Sequence, residues 1–194
     1  VEYAFSKSPI NENVKIKKNK INSIYGLSKF NATNFIKKTL NKINFEYYIL
    51  RPFLVYGPGQ SNDRLIPFII NESLKNNKFP CSKGNQIRDF LYVSDFIDLV
   101  IKCVKNKDYK KKNKIINVAS GKPIKVKKLI NLIRKLTKNG HPEFGKIKLR
   151  KDEPLKLYAN ISLAKKLFNW RPKISLKKGI MKTIHYYRMK NING

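Results

Sequence analysis

Tyr25 and Lys29 lie four residues apart in Tyr25-Gly-Leu-Ser-Lys29, which on a helix sets a phenol and an ammonium on one face, a turn apart. Leu27, Phe30 and Leu40 are spaced for one apolar stripe, so a helix is predicted from Tyr25 to about Asn41. A free tyrosine titrates at about pH 10 and is a poor proton relay at neutral pH. An ammonium about 4 Å away, at an effective dielectric of about 20, favours the phenolate by up to ~4 kcal/mol. A phenol tuned in this way can exchange a proton with an alcohol or ketone while hydride moves elsewhere. The same spacing is also common on solvated helix faces, so the pair alone does not specify catalysis.

Further motifs follow in order. They are Leu50-Arg-Pro-Phe-Leu-Val-Tyr-Gly-Pro-Gly-Gln60, Gly84-Asn-Gln-Ile-Arg-Asp-Phe-Leu-Tyr-Val-Ser-Asp95 and Ile116-Asn-Val-Ala-Ser-Gly121. A tail with Arg150-Lys-Asp-Glu153, Asn160 and Leu167-Phe-Asn-Trp-Arg-Pro172 completes the series. Together with Tyr25 and Lys29 they resemble the extended short-chain dehydrogenase/reductase family, in its NAD-dependent epimerase/dehydratase branch acting on nucleotide sugars. The resemblance runs from about Val1 to Tyr187.

The resemblance implies an α/β fold: the C-terminal part of a Rossmann-like doubly wound parallel sheet plus a small α/β substrate-binding domain. Residues 1–60 are expected to be a remnant of the NAD(P)-binding domain. Residues 61–194 are expected to be mainly substrate domain, with 88–118 returning to the Rossmann core. It also implies roles. Tyr25 is the acid/base, and Lys29 tunes it and binds the nicotinamide ribose of NAD or NADP. Pro52, Phe53 and Val55 pass beside the nicotinamide, and Leu54 and Leu65 line the substrate. Arg88 and Arg150 reach the diphosphate of a nucleotide-diphosphate sugar, and Glu153 lies near its ribose. A planar, permanently charged guanidinium suits phosphate oxygens. The competing expectation for Arg88 is an ion pair with Asp89 or Asp95. Epimerase, 4,6-dehydratase and 4-ketoreductase share these motifs, and a homodimer is expected of the complete protein. Two departures stand out: many relatives carry a sugar-bonding Asn where Leu54 stands, and Asn160 replaces a frequent Asp.

No Gly-x-Gly-x-x-Gly or similar turn occurs among the nine glycines, although a dinucleotide's pyrophosphate needs close backbone approach at such a turn. In the resembled family that turn, and a catalytic Ser or Thr, precede the Tyr/Lys pair. The expectation is therefore a fragment or split gene product that binds NAD(P) poorly by itself. A non-catalytic nucleotide-sugar-binding or interaction module is the alternative.

Composition narrows the remaining classes. The chain has 194 residues, 41% of them hydrophobic, which is enough for a good core. No run approaches a membrane span. Cys81 and Cys103 stand too far apart for a Cys-x-x-Cys motif and fit a reducing cytoplasm. His141 and His185 have no ligand-spaced neighbours, so no metal is expected. The formal charge of +31 suggests a polyanion binder, yet Lys, Asn and Ile share A/T-rich codons. The lysine runs at 15–20 and 107–114 fall between periodic segments and carry no nucleic-acid motif, so no specific nucleic-acid partner is expected.

Phe45–Leu50 is predicted as a strand ended by Pro52, the Pro58/Gly59 pair as a loop, and Leu65–Leu74 as a helix; the resemblance implies a loop at Pro52–Val55. Phe79–Cys81 and Asp89–Val93, joined by a turn at Gly84, read as an antiparallel pair. Ser94 is expected to cap a helix to about Lys105 with Phe96, Val100 and Val104 on one face. Ile115–Val118 reads as a strand and Val126–Leu136 as a helix. Helices from Ile161 and Leu176 are expected behind caps at Asn160 and Ser175. Asp95 is assigned to helix-start chemistry, Arg51 to structure and Trp170 to packing.

Overall fold

The structure, a computed structural model, describes residues 3, 7–21, 23–108, 114–150 and 153–192; most of the second lysine run lies outside them. The elements alternate as an α/β fold requires. Helix α1 (Ile24–Lys42) starts at Ser23, whose Oγ accepts from Gly26 N, and so satisfies one of the unpaired N–H groups of the first turn. It stops at Asn44, which takes φ 53°, while Phe45 N donates back to Leu40 O at 2.8 Å. This helix-stop geometry holds Phe45 at the helix end. The strand β1 accordingly begins at Tyr48 and runs to Pro52, later than the apolar run implies.

β1 pairs in parallel with β6 (Lys114–Val118) through Pro52↔Val118, and Phe53 N still donates to Val118 O. The chain then shifts partner. Leu54–Tyr56, whose first two residues the resemblance placed in a loop, forms strand β2, in parallel with β5 (Phe90–Tyr92). Pro52 does not end the extended chain, because the missing N–H falls where the ladder changes sheets.

The expected antiparallel pair around Gly84 does not form. β3 (Lys78–Cys81) instead pairs in parallel with β8 (His141–Phe144). β4 (Ile87–Arg88) lies between β7 (Ile124–Lys125), antiparallel, and β9 (Lys156–Leu157), parallel. The reason lies at Gly84, with φ 71°, where a Cβ would sit 2.8 Å from the Lys127 backbone nitrogen. Lys127 N donates to Gly84 O and Val126 N to Gln86 O, so the turn is bound to the start of α4 (Val126–Thr137) rather than to its own preceding strand.

Helix α2 (Leu65–Leu74) has the expected bounds. α3 (Val93–Lys105) has no side-chain cap from Ser94, and it buries Asp95, Leu99 and Cys103 while Val104 is exposed. Asp95 sets that face: its carboxylate accepts from Lys173 N and Ile174 N, and its carbonyl accepts from Trp170 Nε1. It thereby ties α3 to the chain after α5 (Ser162–Phe168), and Trp170 is buried at that junction. Asn160 Oδ1 accepts from Ser162 N, and Ser175 Oγ accepts from Lys178 N at the start of α6 (Leu176–Ile192).

Three apolar clusters result. One joins α2, α4 and α6 through Ile69, Phe79, Ile130 and Ile184. A second holds Leu99, Ile116, Phe168 and Trp170 beneath β1. A small third contains Tyr3, Ile10, Phe53 and Ala119. No helix of the described residues is long and apolar enough to cross a membrane.

Candidate active site

A cleft of about 780 Å³ opens between α1, α2, β4, α4 and the segment after β8. Tyr25, Leu54, Leu65, Arg88, Arg150 and Glu153 all line it. Lys29, Pro52, Phe53 and Val55 do not. Phe53 is buried in the third cluster, Val55 packs against the second, and Pro52 is exposed at the end of β1.

Tyr25 sits in the first turn of α1 and is 64% exposed. The Lys29 ammonium lies over its ring, 5.4 Å from the centroid, in cation–π range. Ser28 Oγ donates to the Tyr25 carbonyl, so that hydroxyl is occupied with the helix backbone.

Arg88 is held very differently. It is 5% exposed, and Nη2 meets Glu153 Oε1 at 2.6 Å while Nη1 donates to Ile87 O at 2.9 Å. Neither Asp89 nor Asp95 is its ion partner. Side chains alternate along a strand, so Asp89 points away from Arg88, and its carboxylate accepts from Ser120 N and Gly121 N at 2.7 and 2.9 Å. Burial pushes the Asp89 carboxyl above its ordinary range, opposed by the bonds from Ser120 and Gly121. Asp89 thus links the third and fourth motifs, a role the linear sequence did not disclose. The one available signal was a carboxylate beside Arg88 and a Ser-Gly turn of free N–H groups.

The cleft lining carries more positive than negative charge, with Arg64, Arg88, Lys148 and Arg150 against Asp63 and Glu153. Phe68, Val126, Ile130, Pro80 and Ile147 supply an apolar wall. A ligand that is anionic at one end and partly apolar along its length matches this lining. Cys81 also lines it, and burial pushes its thiol up to about 11, which keeps it from acting as a nucleophile at neutral pH. Among the described residues no three His, Cys, Asp or Glu side chains gather to hold a metal.

Residues 2–119 match the profile of the NAD dependent epimerase/dehydratase family. The chain is 34% identical over 176 residues to a putative UDP-glucose 4-epimerase of Methanocaldococcus jannaschii, covering 88% of this chain and 54% of that protein. It is 30% identical over 172 residues to the dTDP-D-glucose 4,6-dehydratase of Homo sapiens, covering 84% and 48%. The chain therefore spans about half the length of these relatives. In fold it is similar to the UDP-glucuronic acid 4-epimerase of Bacillus cereus, solved with UDP-glucuronic acid and NAD. The TM-score is 0.88 at 24% identity, over 97% of this chain and 59% of that one.

Proposed function

Since the chain belongs to the NAD-dependent epimerase/dehydratase family, we propose that its cleft binds a nucleoside-diphosphate sugar and presents the sugar to Tyr25. The observation that carries the proposal is convergence. Tyr25, Leu54, Leu65, Arg88, Arg150 and Glu153 are scattered over more than a hundred residues of sequence and line one cavity. In this reading Arg88 and Arg150 bind the diphosphate, Glu153 faces the ribose, and the Tyr25 hydroxyl takes or returns the proton on a sugar oxygen. Lys29 stabilises the anionic phenol while the proton is away. Epimerase, 4,6-dehydratase and 4-ketoreductase reactions all require that proton movement.

The residues present fit one end of a nicotinamide nucleotide. Lys29 and Tyr25 are exposed together and are proposed to hold its ribose, and Pro52, Phe53 and Val55 would border the nicotinamide. No glycine-rich turn of this chain offers a cradle for the pyrophosphate. When bound, the nicotinamide supplies the hydride acceptor; NAD is the form held by the B. cereus epimerase. Residues 1–60 with 88–118 are proposed as the cofactor side of the molecule and the remainder of 61–194 as the substrate side.

Calorimetry with UDP-glucuronic acid tests the proposal. Saturable binding is expected, weakened about ten- to a hundredfold by Arg88→Ala or Arg150→Ala through loss of a charge-assisted hydrogen bond. A wild-type chain with no saturable binding, or both variants with unchanged affinity, would overturn it.

A further inference from the structure

Gln86 lines the cleft beside Arg88, is 7% exposed, and carries a buried Oε1 with no hydrogen-bond partner among the described residues. Its Nε2 donates to Ser82 Oγ at 3.1 Å. The backbone around it is fixed: Gln86 O accepts from Val126 N, Gly84 O from Lys127 N, and Ser82 Oγ from Gly84 N. Ser82 Oγ meets only one end of the amide, which leaves the other, Oε1, unpaired in the cleft lining. A buried acceptor left unmade destabilises the fold by about 1–3 kcal/mol, and such a group is retained where a ligand or water supplies the donor.

Position identifies which part of a ligand that is. Gln86 and Arg88 are two residues apart on an extended chain, so they share a face about 6–7 Å apart. If Arg88 holds phosphate, Gln86 is placed one step along the same nucleotide. Resting on the nucleotide reading above, we propose that Gln86 reads the nucleoside half of the ligand: Oε1 accepts a hydrogen bond from a ribose hydroxyl or the base imide N–H. Ser82, through Nε2, holds the amide in position. Arg88 then supplies charge and Gln86 discriminates a nucleotide from a bare diphosphate.

The test compares UDP with inorganic pyrophosphate by calorimetry on the full chain. Gln86→Leu should weaken UDP about tenfold, leave pyrophosphate within about twofold, and leave the melting temperature unchanged or raised, since an unmade acceptor is removed. Arg88→Lys should weaken both ligands. Gln86→Met gives the same comparison should the leucine variant fold poorly. UDP affinity unchanged in the variants, or both ligands weakened equally, would overturn the role of Gln86 while leaving the cleft reading standing. A wild-type chain that binds neither ligand would overturn both.

Discussion

Arg88 is fixed within its strand by Glu153 and the Ile87 carbonyl, whereas Tyr25, in the same cleft, stands exposed on a helix whose buried residues are Gly26 and Thr33. The surroundings of α1 differ as well, since Ile24 is 90% and Phe35 70% exposed. One end of the cleft is organised before any ligand arrives. The other carries the proposed acid/base pair, Tyr25 and Lys29, in high dielectric, where attraction between unit charges about 4 Å apart is about 1 kcal/mol, against about 4 kcal/mol at an effective dielectric of about 20. Affinity should therefore reside largely at the Arg88 end. The chemistry at Tyr25 should depend on what covers that end.

The largest effect that divides the two ends is expected from Tyr25→Phe. In a preparation competent for turnover, the rate constant for the chemical step should fall about 10²–10⁴-fold, with the substrate dissociation constant changed less than about twofold. Phe retains the ring under the Lys29 ammonium and removes only the proton-carrying oxygen. Near-normal turnover would reduce the pair to a solvated helix face.

Arg88→Ala should act in the opposite sense, on affinity and stability together. It leaves the Glu153 carboxylate, itself only partly exposed, without its partner, so unfolding free energy should drop by roughly 2–3 kcal/mol alongside the loss of binding. Arg150 is exposed, and Arg150→Ala should alter stability by less than about 1 kcal/mol while still weakening the nucleotide sugar. Urea titrations of both variants check the contrast, and equal stability losses would abolish it.

Much of this arrangement was legible in sequence where the physics is local. α2 and α4 follow the helical repeat, and β6 follows a short β-branched run. The failures were non-local. Gly84 reads as a hairpin turn, yet its partner is Lys127, far along the chain. The face of α3 was read only in part: Phe96 packs on the second cluster, but Val104 is exposed and the buried residues include a carboxylate, Asp95, which finds its donors at Lys173 and Ile174. In the site, the motifs named six residues that line the cleft and four, Lys29, Pro52, Phe53 and Val55, that do not. That Glu153 would pair with Arg88 across 65 positions was invisible in sequence, as was the unpartnered Gln86 Oε1.

A smaller effect concerns pH at the Arg88 end. Burial raises the Asp89 carboxyl, opposed by the Ser120 and Gly121 bonds, so the folded state favours its protonated form. Its contribution to stability is then fully present below the unfolded value of about 3.8 and is lost as pH rises through the higher folded value. Asp63, held low by Ser61 and exposed, works in the opposite direction, its contribution declining as pH falls. Urea midpoints followed upward in pH from the unfolded value should show a falling component that Asp89→Asn removes. The same substitution should reduce stability by about 1–2 kcal/mol at neutral pH, because an amide NH2 faces one of the two N–H donors. An unchanged pH profile in the variant would show that Asp89 does not govern that range.

The smallest effect lies between the two ends, at Leu54, whose side chain lines the cleft with both Tyr25 and Arg88 and packs on the α2–α4–α6 cluster. Leu54→Asn preserves the approximate shape and introduces an amide where the present wall offers no hydrogen bond. Partial loss of apolar burial should reduce stability by about 1 kcal/mol. A sugar hydroxyl meeting the new amide would gain a net hydrogen bond of about 1 kcal/mol, tightening a UDP-sugar roughly fivefold. UDP alone should be unaffected, since the predicted contact is to the sugar and not to the nucleotide at Arg88 and Gln86. Calorimetry with both ligands separates the cases. Equal tightening of UDP would place Leu54 at the nucleotide end, and no change in either would remove Leu54 from the sugar's path between Arg88 and Tyr25.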